Sequence, residues 1–263
     1  MTHWHAVRST LKNALVPLFL DYDGTLAPIV DDPERAFLSK EIRRTLNELR
    51  RVSSVRMAII SGRALKDVQN KVRVQNIVYA GNHGLEMEGP SVHYRHPIPK
   101  AYFRALALLR TLLHELTVSR PEILVENKGL TLSVHYRRLQ RRDVPAFLRE
   151  VRLIVDPYSR GGRVRLRPGK RVLEIRPPVV WDKGKAVEWL LDRWAWKGKG
   201  SAIVPVFIGD DRTDEDAFAV IRKNGLAVRV GRSRRSKAQY YLNGPENVSD
   251  FLAGLLCVKK DGK

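Results

Sequence analysis

At both ends of this chain, short apolar runs alternate with amphipathic stretches, and the runs end in polar or acidic residues. Residues 16–20 are apolar at every position, as a strand covered on both faces requires. Behind them Ile42, Leu46 and Leu49 recur at helical spacing after Ser39, whose hydroxyl suits an N-cap. The pattern predicts a second strand over 56–60, a second helix over 64–72 and a third strand over 77–80. It resumes late, with a helix over 183–194, a strand over 203–208, a helix over 213–221, a strand over 226–230 and a last helix over 247–256. This order predicts an α/β fold built on a doubly wound parallel sheet. Such sheets take ligands outside the carboxyl ends of their strands, so the polar residues just after each run matter most.

The middle breaks the pattern. Helix, strand, strand, helix, strand, strand are expected over 102–116, 122–126, 130–136, 143–155, 164–167 and 172–175. The chain of 263 residues has 48 Lys plus Arg against 28 Asp plus Glu, a net charge of +20, and this segment carries about +11 of it. An inserted, more basic α/β module over 98–177, in a core formed by 1–97 and 178–263, is the simplest description. Proline pairs near both junctions suggest stiff connections about which the module opens for substrate and closes against water. No aromatic-interleaved basic stretch or zinc spacing accompanies the charge, so a solvated basic surface is preferred to a nucleic-acid site. Apolar runs fall short of the roughly 18–20 residues of a membrane span. With a single cysteine, Cys257, no internal disulfide can form, which points to a reducing, cytoplasmic setting. Cys257, in an apolar terminal helix, reads as core rather than as a reactive thiol.

Asp21 and Asp23 lie two residues apart at a strand end and start on the same side of the chain. Bringing two carboxylates together is costly unless a cation joins them or one keeps its proton. Mg²⁺ suits such hard oxygen ligands. Gly24 permits a sharp exit, and it stands fourth from Asp21 where a calcium loop has glycine sixth. Ser61 directly follows the second strand, followed by Gly62 and Arg63; its hydroxyl suits a phosphoryl oxygen or, equally, an ordinary helix cap. Lys183 begins a helix, where a cation opposes the macrodipole, so an anionic partner is expected for it. Asp210, Asp211, Asp214, Glu215 and Asp216 put five acids in seven positions after another buried strand. Acids in a first helical turn explain some of these but not Asp210 and Asp211, so metal binding is favoured.

In this order the four pieces resemble the haloacid dehalogenase-like superfamily of phosphatases, across the whole core. The resemblance implies Asp21 as nucleophile, forming an aspartyl phosphate, and Asp23 as the acid and then base. It implies Ser61 and Lys183 on the phosphoryl oxygens. Mg²⁺ would be held by Asp21, the Asp23 carbonyl and Asp210, with Asp211 and Asp214 in support.

Three further stretches, 80–86, 126–137 and 169–177, narrow the resemblance to the trehalose-6-phosphate phosphatase family. They bring in Asn82 and His83 from the core, with Glu126, Lys128, His135, Arg137, Lys170 and Glu174 from the insert, as substrate-binding candidates beside Gly62 and Arg63. Cations would serve the anion; Glu, Asn and His would serve sugar hydroxyls. Two plainer readings stay open: Asn82 and His83 could shape a tight turn, and Glu174 could pair across the sheet with an arginine. Trp189 and Trp196 follow helical spacing and read as packing. A sugar phosphate is thus the expected substrate, trehalose 6-phosphate first, with sucrose phosphate, mannosylphosphoglycerate or a phosphomutase reaction as alternatives. A basic nucleic-acid-binding protein on an idle scaffold is the contrasting reading, and the intact acidic set opposes it.

Overall fold

The computed structural model describes residues 4–30, 33–194 and 202–261; Trp196 lies outside them. In chain order the elements are α1 (Trp4–Lys12), β1 (Val16–Leu20), α2 (Lys40–Leu49), β2 (Val55–Ile60), α3 (Leu65–Val72), β3 (Val78–Gly81), β4 (Glu86–Gly89), β5 (Val92–Arg95), α4 (Lys100–Thr117), β6 (Leu124–Asn127), β7 (Leu132–His135) and α5 (Val144–Arg160). They continue with β8 (Arg165–Gly169), β9 (Val172–Arg176), α6 (Lys183–Arg193), β10 (Val206–Gly209), α7 (Glu215–Ile221), β11 (Leu226–Val230), β12 (Tyr240–Leu242) and α8 (Pro245–Lys260). Two compact units result, one of Met1–Arg95 with Trp181–Lys263, the other His96–Val180.

The first unit is built on a sheet of order β12-β11-β10-β1-β2-β3-β4-β5. Pairing is parallel from β12 through β3, and the β4–β5 hairpin closes one edge in antiparallel fashion. Because successive side chains point to opposite faces, β1 sends Leu18 and Leu20 into one core and Phe19 into the other. The first core joins the sheet to residues of α1, α2, α3 and α8, the second to α6 and α7. Ser39 Oγ accepts the Ile42 N–H at 3.1 Å and starts α2, which buries Ile42, Leu46 and Leu49. The tryptophans pack: Trp194 stacks on Phe19 with centroids 5.4 Å apart, and Trp189 lies 4.8 Å from Tyr94. Lys259 of α8 is buried and donates to the carbonyls of Leu11 and Ala14, joining the last helix to the end of the first.

Three sequence expectations change. The strand expected from Ile203 starts at Val206, because Ile203 makes only an isolated bridge to Leu15 and Pro205 has no N–H to give a ladder. The helix expected over 213–221 opens as a 3₁₀ turn, Arg212–Asp214, before α7. Cys257 is exposed, not core: α8 buries Leu252, Leu255, Leu256 and Val258, which turns position 257 outward.

Tyr79 of β3 is buried, donating to the Val74 carbonyl at 2.7 Å and accepting the Val74 N–H at 3.0 Å. Burial pushes its phenol from 10.0 up to about 12. The folded state therefore keeps a proton that the unfolded chain gives up, and this contribution to stability is full below pH 10.0 and disappears by about 12. Tyr79→Phe is expected to flatten that part of the stability–pH profile in denaturant titrations; an unchanged slope between these pH values would contradict it.

The second unit is a sheet of order β6-β7-β9-β8, antiparallel throughout, with α4 and α5. Its own core holds Leu109, Leu132, Val134, Val151, Leu173 and Ile175, fully or almost fully buried. The alternate residues of the strands therefore face away from that core. Register sets Glu126, Ser133 and Glu174 side by side there, across β6, β7 and β9. Among the described residues, no helix is long and apolar enough to cross a membrane.

Candidate active site

β10, β1 and β2 are neighbours in the sheet, so the residues at their carboxyl ends converge. Asp21 follows β1, and its N–H donates to the Ile208 carbonyl of β10 at 2.9 Å. Ser61 follows β2, and its N–H donates to the Ala80 carbonyl at 2.9 Å. Asp21, Ser61, Lys183, Asp210 and Asp214 are all buried. Ligand atoms of Asp21, Asp210 and Asp214 lie within 4.8 Å of one another.

Lys183, at the start of α6, has the anionic partners its position called for. Its Nζ donates to Asp21 Oδ1 at 2.5 Å and to Asp214 Oδ1 at 2.7 Å. Burial alone would lower the lysine's pKa, but the two carboxylates reverse this and hold it well above the ordinary value, so it is charged. Asp21 is pushed up mainly by burial, with Asp214 and Asp210 adding to this and Lys183 opposing it. Three carboxyl groups face one ammonium, so ionising all three would leave the buried cluster with an excess of negative charge. A divalent cation offsets that excess, and carboxylate oxygens suit Mg²⁺. Gly24 makes room on the same side. Its φ is +83°, and a Cβ there would come within 2.3 Å of Asp210 Oδ2. The donor set and this space fit a hard dication.

The acids named from the sequence divide by role. Asp214 takes Lys183 on Oδ1 and the N–H groups of Asp210 and Asp211 on Oδ2, at 3.0 and 2.8 Å. It is a brace that fixes the turn after β10. Asp211 belongs to that turn through a capping box with Asp214, and the buried carboxylate group does not include it.

Asp23 lies in the tight turn after β1, where the Gly24 N–H donates to the Ala27 carbonyl at 2.7 Å. Arg63 grips its carboxylate with a two-pronged fork, Nε to Oδ2 at 2.8 Å and Nη2 to Oδ1 at 2.7 Å. The same guanidinium reaches Asp67 at 2.7 Å and lies 5.3 Å from the Tyr22 ring centroid. These carboxylates raise the Arg63 pKa against the opposing effect of burial. The pairing spans 40 positions, and sequence reasoning missed it.

Asn82 and His83 form a turn with left-handed φ of 49° and 60°. Its backbone clasps the Ser61 loop: Asn82 N–H donates to the Arg63 carbonyl at 2.7 Å, and His83 N–H to the Ser61 carbonyl at 2.8 Å. The His83 ring covers Gly62 so closely that a Cβ there would lie 2.6 Å from Cε1. Asn82 Nδ2 donates to Glu86 Oε1 at 2.8 Å. The tight turn foreseen as an alternative is therefore present.

In the second unit, Glu126, Lys128, His135 and Glu174 do assemble. His135 Nε2 is 2.7 Å from Glu126 Oε2, and Lys128 Nζ is 3.8 Å from both Glu126 Oε2 and Glu174 Oε1. Glu174 pairs with Arg176 on its own strand, at 2.9 Å from Nε, and Arg176 is a member sequence reasoning left out. Arg137 and Lys170 meet instead at the β8–β9 turn, where Arg137 Nη2 donates to the Lys170 carbonyl at 3.1 Å. Beneath the cluster, Ser133 Oγ is fully buried without a hydrogen-bond partner.

The fold is the haloacid dehalogenase-like one. A hydrolase of that kind from Bacteroides thetaiotaomicron shares the fold with a TM-score of 0.62 at 14% identity, over 91% of this chain and 99% of its own. The C-terminal domain of Candida albicans trehalose-6-phosphate phosphatase superposes with a TM-score of 0.83 at 24% identity, over 97% of each chain. A family model described as trehalose-phosphatase matches residues 19–246. Probable trehalose-phosphate phosphatase H of Arabidopsis thaliana is 38% identical over 256 residues, covering 92% of this chain and 72% of that protein. Trehalose 6-phosphate phosphatase RA3 of Zea mays is 36% identical, covering 97% of this chain and 73% of its own length. The chain belongs to the trehalose-phosphatase family and is a phosphoric monoester hydrolase.

Proposed function

We propose that the protein hydrolyses trehalose 6-phosphate to trehalose and inorganic phosphate, with Asp21 as nucleophile and Mg²⁺ as cofactor. The observation that carries the reading is Asp21 itself, buried against Lys183 and grouped with Asp210 and Asp214. In the first half, an Asp21 carboxylate oxygen attacks phosphorus, the bond to the sugar oxygen breaks, and Asp23 delivers a proton to that oxygen. In the second half, water attacks the aspartyl phosphate, Asp23 takes its proton, and the bond to Asp21 breaks. Ser61 and Lys183 hold the phosphoryl oxygens as charge moves onto them. Asp21, the Asp23 carbonyl and Asp210 would hold the Mg²⁺, with Asp211 and Asp214 supporting them; the ion supplies charge stabilisation to the transferring phosphoryl group.

Arg63 engages both Asp23 oxygens, so the fork must loosen before Asp23 can reach the sugar oxygen. Gly62, Asn82 and His83 support the Ser61 loop, and Arg63 acts through Asp23. In the insert, Glu126, Lys128, His135 and Glu174 offer charged and hydroxyl-pairing groups in one cluster, with Arg137 and Lys170 as further cations, a set suited to a phosphorylated disaccharide.

Phosphate release from trehalose 6-phosphate, sucrose 6-phosphate, mannosylphosphoglycerate and p-nitrophenyl phosphate, with Mg²⁺ and then with chelator, tests the assignment. The expected result is a kcat/KM at least about tenfold higher for trehalose 6-phosphate, equivalent to roughly 1.4 kcal/mol, and loss of turnover with chelator. Equal rates on every ester would remove the trehalose assignment and leave the hydrolase. Return of the phosphoryl group to a sugar would make it a mutase.

A further inference from the structure

A half-open cleft of about 910 Å³ lies in the first unit between the β11–β12 edge of the sheet and α8. Its size is near the upper end of the range for small-molecule sites, roughly 300–1,000 Å³. Its lining shares no residue with the carboxylate–lysine cluster. Val228, Leu242 and Phe251 give it an apolar wall, Tyr240 adds an aromatic ring, and Arg232 and Arg234 supply charge.

The arginines are the telling feature. They belong to a loop holding Arg232, Arg234, Arg235 and Lys237 within six positions. The loop is strapped down: Tyr241 Oη donates to the Ser233 carbonyl at 3.2 Å, and the Lys237 N–H donates to Glu215 Oε2 at 2.7 Å. Among the described residues, neither Arg232 nor Arg234 makes an ion pair. Both side chains are exposed, and two guanidinium groups at one cleft without a counter-charge attract a dianion. Planar guanidinium groups match phosphate oxygens in forked pairs. The N-terminus of α8 is not the source of attraction, because the Glu246 carboxylate folds back over Gly244, where a Cβ would sit 2.5 Å from it.

We propose that this cleft is a second anion site, apart from the catalytic cluster. It takes a small organic phosphate, with the phosphate on Arg232 and Arg234 and the flat or apolar body against Tyr240, Leu242 and Phe251. Calorimetric titration of Asp21→Asn protein, which does not turn an ester over, tests it with AMP, inorganic phosphate and adenosine as probes. AMP is expected to bind, adenosine at least about tenfold more weakly, and Arg232→Glu/Arg234→Glu to weaken AMP by about tenfold or more, as loss of two charge-assisted contacts implies. Arg232→Gln/Arg234→Gln should weaken it less. Both pairs of changes, made in the unaltered enzyme, should leave Tm and the rate on p-nitrophenyl phosphate unchanged. The proposal is overturned if AMP does not bind at about 1 mM, a concentration that detects affinities near −4 kcal/mol. It is equally overturned if binding falls with Ser61→Ala and not with the arginine pair, which would place AMP at the catalytic cluster. RNA binding that depends on the arginines while AMP fails would also sink it. If Asp21→Asn retained turnover, that would count against the hydrolytic mechanism alone.

Discussion

Asp21→Asn is expected to reduce phosphate release from trehalose 6-phosphate by about 10⁴-fold or more while the protein remains folded, because an amide cannot form the covalent intermediate. The two outcomes separate because of the electrostatics. Burial, aided by Asp214 and Asp210, pushes Asp21 toward its neutral form against the pull of Lys183, and asparagine is a neutral group of the same shape. Lys183 retains Asp214 as a partner at 2.7 Å. The melting temperature should therefore stay level or rise. Phosphate release measured beside a thermal scan decides the matter: a variant that keeps more than about a tenth of the rate removes Asp21 from the mechanism.

Lys183→Met has the opposite signature. It leaves Asp21 and Asp214 buried together with no ammonium between them, and removing one partner of a buried ionic group costs about 3–5 kcal/mol. A large fall in melting temperature is expected, together with loss of turnover. Millimolar Mg²⁺ should restore part of the stability, since a dication beside Asp21 and Asp210 replaces the missing charge. An unchanged melting temperature would show that the carboxylates protonate at no cost, and would contradict a charged cluster.

Much of this site is readable from the sequence, because strand-forming runs and the residues after them carry separate signals. The 16–20 run is apolar throughout, so Asp21 had to fall at a strand end, and Lys183 stood out because a cation opens α6 where an anion would suit the helix dipole. Side-chain pairings across the fold were not readable. Nothing near Asp23 marks Arg63 as its partner, and nothing in an acid-rich turn says that Asp214 takes Lys183 and two backbone N–H groups. The β4–β5 hairpin escaped notice because Glu86–Gly89 and Val92–Arg95 are mostly polar, with only Met87 and Val92 buried. α1 and the three-residue edge strand β12 give too little periodicity to register. Cys257 was misread because the terminal helix is apolar on one face only.

The discontinuity of the first unit sets an order on the ribosome. β1 is made early, but one of its two neighbours, β10, emerges only after the whole of His96–Val180 has been synthesised, and the lysine that fastens α1 comes later still, at position 259. The second unit is continuous in sequence, so all its strands are available to one another while the catalytic sheet still lacks its centre. During translation the half-made sheet therefore carries an unpaired edge at β1, the kind of exposed edge that recruits chaperones and invites misassembly.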